Sequence, residues 1–223
     1  MNKNFCFLFI FLMLLLNLSA VPVVVYSNNF SSSASGWSNT SIAYSNGEYF
    51  LGTNANGFGN GTIGYSLNSM TPHDTVTVTF DLYIIQSWDG NGPAGGGPDG
   101  WQFKADGNTL LSTTFANYSG GNTQGYGGPG LQSGTYTPKT GAYELGHLGF
   151  GTGDFGDTTY RLTFTFAHTS SNLGLSFISL QNQAPGDEGW GLDNVTVTVN
   201  TIPEPSTILL SLFALMLFFY KRR

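Results

Sequence analysis

Two acidic stretches hold the side chains best suited to chemistry. The first runs Ser87-Trp88-Asp89-Gly90-Asn91-Gly92-Pro93 and continues to Pro98-Asp99-Gly100-Trp101. It offers carboxylates and an amide from a glycine-dense loop. Calcium takes about six to eight oxygens from carboxylates, carbonyls and amides on a yielding backbone. Asp89, Asn91 and Asp99 are therefore candidate calcium ligands, although the spacing is not that of an EF-hand, whose loop closes on a glutamate. The second stretch, Asp187-Glu188-Gly189-Trp190-Gly191-Leu192-Asp193-Asn194, adds Asp187, Glu188 and Asp193.

Aromatic rings next to such loops can stack on the C–H face of a sugar. Trp88 and Trp101 flank the glycine loop and are the first candidates, followed by Tyr126; the competing expectation is that they pack in the core. Catalysis finds little support. A glycosidase needs two carboxylates held at a set distance across the bond. The glutamates Glu48, Glu144, Glu188 and Glu204 form no such compact arrangement. His73, His147 and His168 are far apart, with no His-Glu-x-x-His pattern and no Gly-x-Ser-x-Gly elbow in the chain. No glycine-rich phosphate loop opens a helix, and the chain reads as a non-enzyme.

Composition narrows the partners. The chain has 223 residues, of which 9% are charged, against about 25% in an ordinary soluble domain. Of 7 basic residues only Lys104, Lys139 and Arg161 lie between the two ends, while all 13 acidic residues except Glu204 do. The body thus carries 3 basic against 12 acidic residues, a net −9. Nucleic acid, which is bound by clustered Lys and Arg, is excluded as a partner; cations are favoured. Cys6 is the single cysteine, so the body has neither a disulfide nor a thiolate metal site.

The elements that must position these residues are strands. Val76, Val78, Phe80, Leu82 and Ile84 alternate with polar partners and Tyr83. Leu162, Phe164 and Phe166 do the same, as do Leu173, Leu175 and Phe177, and Val195, Val197 and Val199. Period-two alternation marks half-buried strands. Shorter candidates are 42–44, 48–51, 62–67, 101–105, 109–115, 136–138 and 145–148. Glycine, asparagine, serine and proline fill the gaps. The expected fold is all-β, a two-sheet antiparallel sandwich over residues 21–201. Leu192 is out of phase with Val195, Val197 and Val199, which requires an irregularity near Asp193–Asn194. A bulge there re-aims a polar side chain.

The ends read as addresses. Lys3, an apolar run from Phe5 to Leu16, and Ala20 as a cleavage position make a secretory signal over 1–20. The tail, 202–223, has Pro203-Glu204-Pro205, an apolar segment from Ser206 to Tyr220, and Lys221-Arg222-Arg223. Its apolar part is shorter than the ~20 residues that span a bilayer comfortably. The basic end belongs in the cytoplasm. This is a short transmembrane anchor that starts sharply after the prolines. In this order the tail resembles the PEP-CTERM sorting signal of exported bacterial proteins. That resemblance implies an exosortase-type membrane protease as a partner, cutting near Pro203-Glu204-Pro205.

The body is similar to extracellular jelly-roll domains of the lectin-like and carbohydrate-binding kind. Phe30 with Gly36-Trp37, Phe80-Asp81-Leu82-Tyr83 with Trp88-Asp89-Gly90, and Gly189 to Val195 carry the likeness. It implies a structural calcium near the terminal strands, with Asp193 as the best matched ligand. The expected function is that of a non-catalytic exported protein of the envelope or extracellular matrix, membrane-anchored through its tail until processed. The alternative is a carbohydrate-binding module for exopolysaccharide or cell-wall glycan; a glycan hydrolase stands third.

Overall fold

The computed structural model describes residues 21–92 and 96–201. The signal over 1–20, and the sorting residues Pro203, Glu204, Pro205, Lys221, Arg222 and Arg223, lie outside the described residues. Among the described residues there is no helix; the body is β throughout.

Eleven strands make two antiparallel sheets. β1 (Val21–Asn28), β2 (Ile42–Ser45), β3 (Glu48–Leu51), β5 (His73–Gln86), β8 (Glu144–Leu145), β9 (Asp157–Ala167) and β11 (Glu188–Thr201) form the larger one. Its order is β2-β3-β11-β5-β9-β8, with β1 also paired to β11. The smaller sheet is β4-β10-β6-β7, from β4 (Gly61–Leu67), β6 (Gly100–Ala105), β7 (Asn108–Thr114) and β10 (Leu173–Ser179). β11 pairs with β5 along one edge. Its other edge is shared, Leu192 facing Leu51 of β3 and the stretch 195–201 facing β1.

The sheets pack through aromatic rings. Phe80 of β5 lies 5.2 Å from Phe103 of β6 and 5.1 Å from Phe177 of β10, both near edge-on. Edge-to-face pairs at this distance add to the area they bury. On the opposite face of β5, Thr77 and Thr79 hydrogen-bond across to Thr165 and Thr163 of β9, at 2.9 and 3.1 Å. The alternation expected in β5, β9, β10 and β11 is observed with its inward set inward. The irregularity in β11 is observed as well: pairing with β5 shifts between Asp193 and Thr196, and Asn194 sits at φ 50°. Leu192 and Val195 both reach the core as a result.

Several features depart from the sequence reading. The expected strand 136–138 is only an isolated bridge at Tyr136, and 145–148 gives way to the two-residue β8. β1 was not expected, because Val23-Val24-Val25 is a continuous run without alternation; pairing with β11 makes it a strand. Phe164 and Phe166 face the core but are only half-buried. Tyr83 and Ile85, on the expected polar face of β5, are buried in a second small core with Ala43, Phe50 and Leu148. The segment after β8 folds over that face and covers it, so the sandwich has a third, partial layer.

These differences set a graded test. Phe80, fully buried between the sheets, should cost about 3–5 kcal/mol when cut to alanine. Phe164→Ala should cost clearly less, and Thr163→Ala, exposed on the other face, within roughly 0.5 kcal/mol. Urea unfolding of the three variants measures the order; equal costs for Phe80 and Thr163 would contradict the register.

Candidate functional site

β5 ends at Gln86, which pairs with Glu188, the first residue of β11. The chain then loops through residues 87–99 before entering β6 at Gly100. Trp88 fixes the root of this loop: it is fully buried and its Nε1 donates to the Gly189 carbonyl at 2.8 Å. Gly90 follows at φ 65°, where a Cβ would lie 2.3 Å from the Thr123 carbonyl oxygen. Only glycine fits this turn. The Asp99 N–H donates back to the Gly90 carbonyl at 2.8 Å, closing the loop on itself.

The closure gathers three carboxylates from both acidic stretches. Asp89, Asp99 and Glu188 each present an oxygen within 4.8 Å of the other two. Asp99 and Glu188 are fully buried. Each carboxylate is held by one oxygen. Asp89 Oδ1 accepts from Asn122 Nδ2 at 2.8 Å. Asp99 Oδ2 accepts the backbone N–H groups of Asp89 and Gly90. Glu188 Oε1 accepts from Gln183 Nε2 at 2.7 Å. Asp99 Oδ1 and Glu188 Oε2 are buried without a partner. Burial pushes the Glu188 carboxyl up to about 8, helped by the charge of Asp99. Burial likewise pushes Asp99 up to about 6, against the N–H groups that favour its ionised form.

The other expected cation ligands lie elsewhere. Asn91 turns away: its Oδ1 accepts from Thr114 Oγ1 at 2.5 Å. Asp187 accepts from Ser87 Oγ at 2.5 Å. Asp193, the position the jelly-roll likeness favoured, points to the outer face of the larger sheet. There its Oδ2 accepts from Tyr83 at 3.3 Å and from Asn194 at 3.0 Å. Burial, with Glu48 close by, pushes its carboxyl up to about 7.

The sugar-stacking candidates are a correction. Trp88 and Trp101 are fully buried and Tyr126 is 4% exposed, so none offers a ring face to a ligand. Trp101 follows the inward phase of β6 with Phe103 and Ala105. Tyr126 packs on Phe115 and Tyr160.

What the 87–99 loop does border is an open groove of about 440 Å³. Asn91 and Pro98 come from that loop, and Ser112 and Thr114 from β7. Gln132, Ser133 and Leu180 complete its sides. Sequence reading missed it: Ser112 and Thr114 register only as the polar phase of a strand, and Gln132 as part of a glycine-dense loop. No lining residue is ionisable. Histidine–carboxylate clusters lie elsewhere, His147 between Glu48 and Glu144, and His168 between His73 and Asp106.

No family model matches the chain, and no curated protein matches its sequence. Solved structures with a related architecture include dimeric latent PorU from Porphyromonas gingivalis, at 12% identity and TM-score 0.42. That match covers 82% of this chain and 13% of PorU. A family 35 carbohydrate binding module from Clostridium thermocellum aligns at 12% identity and TM-score 0.35, covering 80% of this chain and 98% of the module. The C-terminal CBM6 of LamC from Zobellia galactanivorans aligns at 10% and 0.37, covering 80% and 99%. At these TM-scores the alignments carry nothing about a ligand.

The raised carboxyls fix a pH dependence. A folded-state pKa above the unfolded value gives stability that is complete below the unfolded value and lost as pH rises through the folded one. With divalent ions chelated, the melting temperature should therefore fall as pH rises from about 4 through 8, the range that Asp99, Asp193 and Glu188 define. Glu188→Gln should flatten that fall. A melting temperature constant across the range would contradict the burial of these groups.

Proposed function

We propose that this protein is an exported, non-catalytic β-sandwich that binds a neutral glycan in the groove beside the 87–99 loop. The observation that carries this reading is the groove's lining: hydroxyls, amides, glycines, Pro98 and Leu180, with no ionisable side chain. A surface of that kind exchanges hydrogen bonds with a ligand rich in hydroxyl groups and offers Leu180, 49% exposed, to its C–H face. It lacks the acid and base that bond cleavage requires. Exopolysaccharide and cell-wall glycan are the ligand classes that fit an exported chain. Export rests on the 1–20 signal. Sorting rests on Pro203-Glu204-Pro205 with its apolar segment and basic end, read by an exosortase-type protease.

Titration of the purified protein with a panel of neutral and acidic polysaccharides tests the groove. Ser112→Trp, which fills it, and Gln132→Ala with Leu180→Asp should each weaken binding by about tenfold or more, roughly 1.4 kcal/mol. Binding that survives Ser112→Trp would place the ligand elsewhere. Sorting is tested in cells by changing Pro203, Glu204 and Pro205 together to alanine. The expected outcome is an unprocessed protein held at the membrane; unchanged mass and location would remove the sorting assignment.

A further inference from the structure

We propose that Asp89, Asp99 and Glu188 form a binding site for a divalent oxygen-seeking cation of the calcium class, which fastens Asp89 and Asp99 to the start of β11. The inference is independent of what the groove binds. Three acidic groups in proximity do not make a site by themselves. Here the two members that are fully buried, Asp99 and Glu188, each leave one oxygen with no hydrogen-bond partner. Buried carboxylate oxygens are seldom left so, because each forfeits its hydration. Hydrogen bonds to their other oxygens hold both carboxylates in position.

The third carboxylate is placed to match. Asn122 holds Asp89 Oδ1, and Asp89 Oδ2 faces Gly96, where a Cβ would lie 1.6 Å from it. Glycine at 96 therefore leaves room for that oxygen, which any side chain would displace. The mutual spacing of 4.8 Å or less suits one ion, because two ligands at about 2.4 Å on opposite sides of calcium stand about 4.8 Å apart. Among the described residues no positive side chain competes: none of the ion pairs includes Asp89, Asp99 or Glu188. Arg161 is taken by Asp81 in a two-toothed contact at 2.8 Å, and Lys139 Nζ donates to the Thr152 and Gly153 carbonyls.

The competing occupant is a proton, since Asp99 and Glu188 can share one. Terbium, a luminescent substitute for calcium, separates the two. Trp88 adjoins Asp89 and Trp190 lies two residues from Glu188, so indole excitation reaches an ion held there. The purified protein should show saturable sensitised emission that calcium displaces, and calcium should raise its melting temperature by mass action. Asp99→Asn and Glu188→Gln should each lower terbium affinity by about tenfold or more, while Asp193→Asn and Asp74→Asn leave it unchanged. Gly96→Ala keeps all three carboxylates and should lower affinity as well, by crowding Asp89 Oδ2. A melt that follows pH but not calcium, with no sensitised emission, would give the site to the proton. Loss of binding in Asp193→Asn with none in Glu188→Gln would move the ion to the outer face. Either result overturns the proposal.

Discussion

β5 and β11, 14 residues each, lie antiparallel at the centre of the larger sheet, and their register decides what the rest of the molecule can do. Along the inner face it aligns Val76 with Val199 and Val78 with Val197, in the same buried core as Phe103 and Phe177 of the other sheet. At the far end it sets Gln86 opposite Glu188. The loop leaving β5 and the strand entering β11 therefore meet, and two acidic stretches about a hundred residues apart become one cluster. A one-residue slip would turn the valines outward and separate Glu188 from Asp99. Core and site are thus fixed by the same ladder.

With so few charges, the protein braces its loops by amides instead of ion pairs. Asn117, fully buried, donates to the carbonyls of Ile84 and Gln86 and accepts from Thr158. Gln124, also fully buried, donates to the Tyr126 and Thr140 carbonyls and accepts from Tyr160. Buried side chains with several good partners hold a single geometry. This explains how long glycine-rich connections keep defined paths, and why the groove they border is lined by neutral groups.

The strands were legible because their cause is local. Alternation in 76–84, 173–177 and 195–199 follows from one face being apolar, and the phase break at Leu192 is enough to place a bulge before Val195. The site was legible in pieces. Asp89, Asp99 and Glu188 stood out as oxygen donors in glycine-rich stretches, yet so did Asn91, Asp187 and Asp193. Nothing local tells which of the six converge, because convergence depends on the pairing of Gln86 with Glu188. The likeness that favoured Asp193 pointed to the face where Tyr83 and Asn194 hold it. The tryptophans misled for a related reason: a ring next to a glycine-dense loop reads as exposed, whereas Trp88 is buried and tied to the Gly189 carbonyl. Tyr83 and Ile85 read as a solvent face because the cover over them comes from the distant segment 146–157.

β11 also has a direction. It begins at the carboxylate cluster with Glu188 and ends at Thr201, opposite Val21 of β1, so the body's first and last strands meet at one pole. At about 3.3 Å per residue the two ends of β11 stand roughly 40 Å apart. In the proposed function, attachment through the residues that follow Thr201 is made at the pole opposite the groove. On that proposal the open, neutral face points away from the attachment, at a distance set by the length of a single core strand.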